Sequence, residues 1–309
     1  MSPERVPVEL EGRRLSLSNL AKPMYPEVGF TKRDVLDYYA RVAPTMLAHL
    51  ARRPVTLRRY PGGTGASSFF EKRVPAHAPE WVQTATVPLH PHGDGPDRLE
   101  ALVVADTPTL IWAANLAALE FHVTLWRVPD AGPLPGPPDY LVFDLDPGPG
   151  TSIVECCRVA AWIAAELAER GVAPPGAKTS GSKGLQLYAP LPAATGWDTA
   201  RADAHDIAAR VEAQHRADVV TNMRKNLREG RVLIDWSQNH PAKTTVAAYS
   251  LRAGPAPTAS TPVTWHEIAA CADSADPALL RFTAPEVLER VDRLGDLMPL
   301  PSTPVPGPR

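Results

Sequence analysis

Asp144 and Asp146 stand two residues apart in the segment Tyr140-Leu141-Val142-Phe143-Asp144-Leu145-Asp146-Pro147-Gly148. The apolar run before them suits a buried strand. Side chains of a strand alternate faces, so both aspartates leave one face while Phe143 and Leu145 enter the other. Two carboxylates on one rigid surface repel each other unless a cation lies between them. Hard divalent ions such as Mg²⁺ or Mn²⁺ take such oxygen ligands. Taken alone, Asp-x-Asp fits an acidic turn equally well.

Two further stretches bear on that choice. Val232-Leu233-Ile234-Asp235-Trp236-Ser237-Gln238-Asn239 is a second buried-type strand that delivers an aspartate at its end. Between the two acidic strands lies Lys178-Thr179-Ser180-Gly181-Ser182-Lys183-Gly184-Leu185-Gln186-Leu187-Tyr188. Its small residues and glycines let backbone amides approach an anion, and Ser180 and Lys183 add a hydroxyl and a positive charge. It is not a Walker loop, because the Gly-Lys-Ser/Thr order and the following helix are missing. Lys243 and Arg252 add cations further on. Phe69-Phe70, beside Glu71-Lys72-Arg73, cannot both enter a core from a strand, so one should face a surface or cleft, where it can stack on a base. Two metals held by Asp144, Asp146 and Asp235 would activate an attacking hydroxyl and stabilise a pyrophosphate leaving group. Kinases and nucleases share that chemistry, so the residues alone stop at metal-assisted phosphoryl transfer.

Positioning these groups requires a large core, which 309 residues can supply as one large domain or two intimate ones. Residues 6–17 read as short strands. Thr31 with Asp34 opens a helix carrying Val35, Leu36, Tyr39, Val42, Met46 and Leu47, with Pro44 as a potential break. Residues 53–60 read as a strand, 108–122 as a helix ending in Glu120-Phe121-His122, and 123–126 as a strand. Ser152 with Glu155 forms a capping-box pattern, and Gly171 should stop that helix. Helices are expected at 198–217 and 284–294. A lone His122 would ordinarily be structural.

The formal charge is −2, from 32 basic and 34 acidic side chains, which excludes a global polyanion binder. Residues 1–75, however, hold 13 basic and 7 acidic side chains, residues 220–255 hold 6 and 2, and the segment from 260 onward is acidic. That asymmetry points to an anionic partner held on one side. Three cysteines make no disulfide framework, and no run approaches membrane-spanning length, so a cytoplasmic setting without membrane contact is expected.

The ordered motifs Asp-Leu-Asp-Pro, Thr-Ser-Gly-Ser-Lys-Gly-Leu and Ile-Asp-Trp-Ser-Gln-Asn, followed by Lys-Thr-Thr and Tyr-Ser-Leu-Arg, resemble the polymerase domain of bacterial ligase D. That domain belongs to the archaeo-eukaryotic primase superfamily and acts in non-homologous end joining. The resemblance covers roughly residues 8–298. It implies an α+β fold: a primase-like core with an RNA-recognition-motif-like antiparallel sheet, wrapped by an N-terminal α/β module. The division expected is a single domain over 1–298, with a module of about 1–105 packed on a core of about 106–298, and a disordered Pro-rich tail over 299–309.

The same resemblance makes Asp144, Asp146 and Asp235 the catalytic metal ligands, for two Mn²⁺ or Mg²⁺ ions. It places Ser180, Lys183, Gln186, His122, Phe69, Phe70, Gln238, Lys243 and Arg252 at the site of an incoming NTP or dNTP. Lys22 and Lys32 match lysines that recognise a DNA 5′-phosphate, and Arg228 matches a loop residue that arranges DNA ends. One departure stands out: the second motif usually continues Lys-Gly-Leu-His, whereas here it has Gln186. Glutamine can hydrogen-bond a phosphate oxygen but carries neither proton nor charge there, so triphosphate binding is expected to be retained but weaker at that contact. The implied activity is nucleotide addition to 3′ ends at gaps and double-strand breaks. De novo priming and a catalytically weak DNA-end scaffold are the alternatives. With no ligase or phosphoesterase module in the sequence, a stand-alone monomer acting with a separate DNA ligase and Ku is expected, at the bacterial nucleoid during repair.

Overall fold

The computed structural model describes residues 5–88, 98–130 and 134–301. Two mixed layers share the chain. One is a six-stranded sheet whose order is Val219–Val220, Val232–Asp235, Tyr140–Pro147, Leu185–Pro190, Gly176–Thr179 and Pro262–Val263. All neighbours in it are antiparallel except the first pair. Its inner four strands follow a β-α-β-β-α-β path through the helices Ile153–Glu169 and Trp197–Gln214. The RNA-recognition-motif-like antiparallel core expected from the motifs is therefore present.

Alternation sorts this sheet into two faces. Leu141, Phe143, Leu145, Leu185, Leu187, Val232 and Ile234 pack with the two helices in one apolar cluster. Tyr140, Val142 and Tyr188 face the other way and join a second cluster, built around the helix Lys32–Leu50. Asp144, Asp146, Lys178, Gln186 and Asp235 share that second face by the same alternation.

The opposing layer is a sheet ordered Thr244–Val246, Ala118–Thr124, Pro54–Arg59, Arg98–Val103 and Thr84–Pro88, with Phe69–Glu71 also paired to Pro54–Arg59. It draws strands from both sides of residue 105, so the proposed division of the domain passes through this sheet. Thr31 and Asp34 cap Lys32–Leu50 reciprocally, as their spacing predicts. Pro44 does not break that helix. It lies on the exposed side together with Ala40, whose freed carbonyl can meet water.

The predicted helix over 108–122 is shorter than expected. It runs Thr107–Asn115, Ala117 takes a left-handed conformation (φ 65°), and Ala118–Thr124 is a strand. Both faces of that strand are buried, so its apolar run lacks the two-residue period that would distinguish it from a helix. The capping box at Ser152 and Glu155 forms, and Gly171 (φ 73°) follows the end of that helix. A further helix, Trp265–Ser274, was not anticipated. Of the segment expected as a tail, Pro299 is ordered, its carbonyl accepting a 2.7 Å hydrogen bond from Tyr140, while residues 302–309 lie outside the described residues. Among the described residues no helix is long and apolar enough to cross a membrane.

Candidate active site

The two layers meet in a polar cleft of about 470 Å³. From the core sheet and its loops come Asp144, Asp146, Ser180, Lys183, Gln186 and Arg228, and from the opposing side His122, Thr244, Thr245 and Arg252. The sequence thus found eight cleft residues spread over 130 positions, and the pairing of strands explains why they converge. Asp144 is opposite Gln186 on one neighbouring strand and opposite Asp235 on the other.

Asp144 is held above the ordinary carboxylate range, first by burial and then by the charge of Asp146. Asp146 is raised likewise by burial and by Asp235, against the pull of Arg228 and Arg252. This is the electrostatic state of a cation site: carboxylates that favour a proton over mutual repulsion would favour a divalent ion more. Asp235 itself accepts hydrogen bonds from the Ser237 amide (2.9 Å) and Gln238 Nε2 (2.9 Å), and Lys243 lies 3.9 Å away. Those contacts draw Gln238 and Lys243 to Asp235, and none of the three lines the cleft. Among the described residues, no three or more His, Cys, Asp or Glu side chains form a ready-made metal cluster. The donor set fits a hard cation in type and charge, with Asp144 and Asp146 open to the cleft and Asp235 beside them.

The phosphate-type loop is organised by Ser180. Its hydroxyl accepts from the amides of Ser182 (3.2 Å) and Gly184 (3.0 Å), and its own amide donates to the Gly184 carbonyl (2.8 Å). Gly181 (φ 70°) makes the turn, and Gly184 lies so close to the strand that a Cβ there would stand 2.2 Å from the Leu145 carbonyl. Lys183 is left exposed at the lip. Arg228 and Arg252 each keep a buried Nε without a hydrogen-bond partner among the described residues, which leaves spare cationic donors at the cleft.

Glu120, which the sequence reading passed over, ties the far wall together. Its carboxylate accepts from Tyr60 (2.7 Å) and the Ala253 amide (3.2 Å), and pairs with His122 (2.9 Å), Arg252 (3.2 Å) and Arg58 (3.5 Å). Burial would raise its pKa, but the His122 hydrogen bond, Arg252 and Tyr60 outweigh burial and hold it at about 2. His122 is lowered by burial, with Glu120 opposing. Because a carboxylate only accepts, His122 donates from Nε2 and its Nδ1 remains an acceptor. The signal that could have found Glu120 is the Glu-x-His spacing, which puts both side chains on one face once the segment is a strand rather than the end of a helix.

Phe69 and Phe70 occupy a three-residue edge strand and are 46% and 56% exposed. Phe70 meets His122 edge-on at 5.5 Å and lies under Arg58, whereas Phe69 lies under Arg59. Only Phe70 is thereby joined to the cleft wall. Lys22 and Lys32 come together elsewhere: the Lys32 amide donates to the Lys22 carbonyl (2.8 Å), and Lys22 Nζ bonds the Pro61 carbonyl. Lys32 is 4% exposed and its ammonium donates to the Ser18 carbonyl (2.8 Å). Burial, then the charges of Lys22 and Arg59, push Lys32 down to about 8.

A model of the LigD primase-polymerase domain matches residues 31–298. The chain belongs to that family. The multifunctional non-homologous end joining DNA repair protein LigD of Mycobacterium tuberculosis (strain H37Rv) is 43% identical over 291 residues, covering 93% of this chain and 37% of that protein. The LigD of Mycolicibacterium smegmatis is 39% identical over 285 residues, covering 92% and 36%. The solved polymerase domain of Mycobacterium tuberculosis ligase D, in complex with DNA, superposes with a TM-score of 0.83 at 42% identity, covering 92% of this chain and 96% of that one. The chain therefore spans little more than a third of the length of these full-length relatives and nearly all of the polymerase domain. It is a LigD-type polymerase domain, a nucleotidyltransferase of the α+β class.

Proposed function

We propose that this chain adds ribo- or deoxyribonucleotides to 3′ ends at gaps and double-strand breaks, guided by a 5′-phosphate, as a step of non-homologous end joining. The observation that carries this reading is the cleft itself, where Asp144 and Asp146 share one polar lining with Ser180, Lys183, Arg228 and, from the opposing wall, Arg252. That arrangement supports a triphosphate gripped at one end by cations and presented to carboxylates at the other.

Asp144, Asp146 and Asp235 are the residues that would hold two Mn²⁺ or Mg²⁺ ions, which when bound lower the pKa of the attacking hydroxyl and neutralise the pyrophosphate. Lys183 and the loop amides bind the phosphate oxygens, and Arg252, held by Glu120, reaches the same pocket from the opposite wall. His122 offers Nδ1 as an acceptor, suited to a sugar hydroxyl. Phe70, fixed against His122 and Arg58, offers a face for a base. Gln238 and Lys243 serve this pocket by orienting Asp235. Lys22 and Lys32 form the 5′-phosphate site, and Arg228 belongs to the loop that meets DNA ends. The protein acts in the cytoplasm on DNA ends as a monomer, with Ku and a DNA ligase completing the repair.

Primer extension on a gapped, 5′-phosphorylated duplex with Mn²⁺ and either rNTPs or dNTPs tests the reading. Incorporation dependent on template and primer is expected, and its complete absence would overturn it. Products on a primer-free template would instead support priming, and tight binding of ends without synthesis would support a scaffold.

A further inference from the structure

Lys178 lies on the strand Gly176–Thr179 and is 1% exposed; it shares the sheet face of Asp144 and Gln186 but lines the neighbouring cavity between Tyr140 and Tyr188 rather than the cleft itself. A buried ammonium is costly unless its donors are used. Here they are: Nζ donates to Gln186 Oε1 and to Ser260 Oγ (2.8 Å), and it lies 5.3 Å from the Tyr188 ring centroid. Ser260 in turn donates to the Thr179 carbonyl (2.8 Å), so its oxygen is oriented to receive Lys178.

The consequence lies in Gln186. An amide side chain can ordinarily turn either end toward a neighbour, but an ammonium has donors only. Lys178 therefore claims the carbonyl end and leaves the NH₂ end for the other side. Gln186 is opposite Lys178 on one neighbouring strand and opposite Asp144 on the other. Asp144 is thus the cross-strand neighbour left to that NH₂ end, and Gln186 draws the Asp144 carboxyl down against the burial that raises it. The three residues form a row across three strands, with the Lys178–Gln186 hydrogen bond running toward Asp144.

We propose that Lys178 is a positioning residue for Asp144, acting through Gln186, whose amide it locks with the NH₂ group toward the carboxylate. This rests on the polymerase reading above only in calling Asp144 a metal ligand. Without Lys178 the amide is free to flip, and its carbonyl would then confront a carboxylate. Groups that orient a metal ligand typically matter by about ten- to a hundredfold in metal affinity or rate.

A double-variant cycle with the whole chain tests this, using Mn²⁺ binding read by the EPR signal of the free ion and steady-state primer extension. Lys178→Met is expected to raise the Mn²⁺ dissociation constant by about tenfold and to lower kcat with little change in the nucleotide KM. Gln186→Leu should give a similar loss, and Lys178→Met added to Gln186→Leu should cost nothing more. Lys178→Gln, which retains a donor, should recover much of the wild-type affinity, and Lys178→Leu replaces Lys178→Met in the cycle if that variant does not fold. Losses that simply add, or unchanged Mn²⁺ binding in Lys178→Met, would overturn the proposal. A wild type that binds Mn²⁺ yet incorporates nothing would overturn the polymerase reading instead, with the relay still decided by the binding cycle.

Discussion

Asp144 is paired directly across the sheet with Asp235, although 91 residues of chain separate them. A register pair of like charges is unfavourable by itself, and here Asp146, two residues on, adds a third carboxylate to the same face. The arrangement is the opposite of what folding stability would select. It makes sense where a cation is to be received.

The first prediction follows from that cost. Asp144→Asn should abolish incorporation, by roughly a thousandfold or more, about 4 kcal/mol of barrier, while leaving the melting temperature equal to or above wild type. Single-turnover extension and thermal unfolding without metal provide the two readings. A large loss of stability would mean that the carboxylate serves the fold.

Glu120 supplies a second. Glu120→Gln keeps the shape but removes the charge that holds His122, Arg252 and Tyr60. Hydrogen bonds to charged groups contribute about 1.5–3 kcal/mol, so the nucleotide KM should rise by roughly tenfold or more. The pH dependence has a definite sign. Glu120 is held at about 2, below its ordinary 4.5, so its contribution to stability is fully present above pH 4.5 and is lost as pH falls toward 2. Acid unfolding curves of wild type and Glu120→Gln should therefore converge across that interval.

At the lysine cluster the sign is functional as well as thermodynamic. Lys32, held at about 8, binds fewer protons folded than unfolded between pH 8 and its ordinary 10.5, so stability rises with pH there. Phosphate recognition moves the opposite way, because it needs the protonated amine. The advantage of a 5′-phosphate over a 5′-hydroxyl on gapped DNA should shrink between pH 7 and pH 9.5, and Lys32→Ala or Lys22→Ala should flatten that decline. An advantage independent of pH in the wild type would refute the assignment.

Gly184→Ala tests the phosphate loop. With a backbone carbonyl in the way of the new Cβ, the loop or the Leu145 strand must shift, at a cost of about 1–3 kcal/mol. Denaturant unfolding should show that loss, accompanied by a higher nucleotide KM.

The chain's chemistry was easier to read than its layering. Asp144, Asp146 and Asp235 each end an apolar run, and capping at Thr31 and Ser152 depends on residues three apart, so local sequence suffices for both. The strand Ala118–Thr124 was misread because burial on both faces erases the period of two. Glu120 and Lys178 escaped for a related reason. Their roles depend on partners 132 and 82 positions away, Arg252 and Ser260, that only sheet pairing brings near. Gln186 was expected at the triphosphate. It lines the cleft, and its side-chain oxygen accepts a hydrogen bond from Lys178.

The basic loop around Arg228 is anchored where the acidic strand ends. The Gly148 amide bonds the Arg231 carbonyl (2.9 Å), the Gly230 amide bonds the Pro149 carbonyl (2.8 Å), and no side chain fits between Gly148 and Arg228. The segment is thus not an interchangeable cassette. A chimera that imports this loop from a relative inherits a new seat for Asp146 along with it. Loop exchanges intended to retune the handling of DNA ends will have to carry the Pro147–Gly150 turn with them.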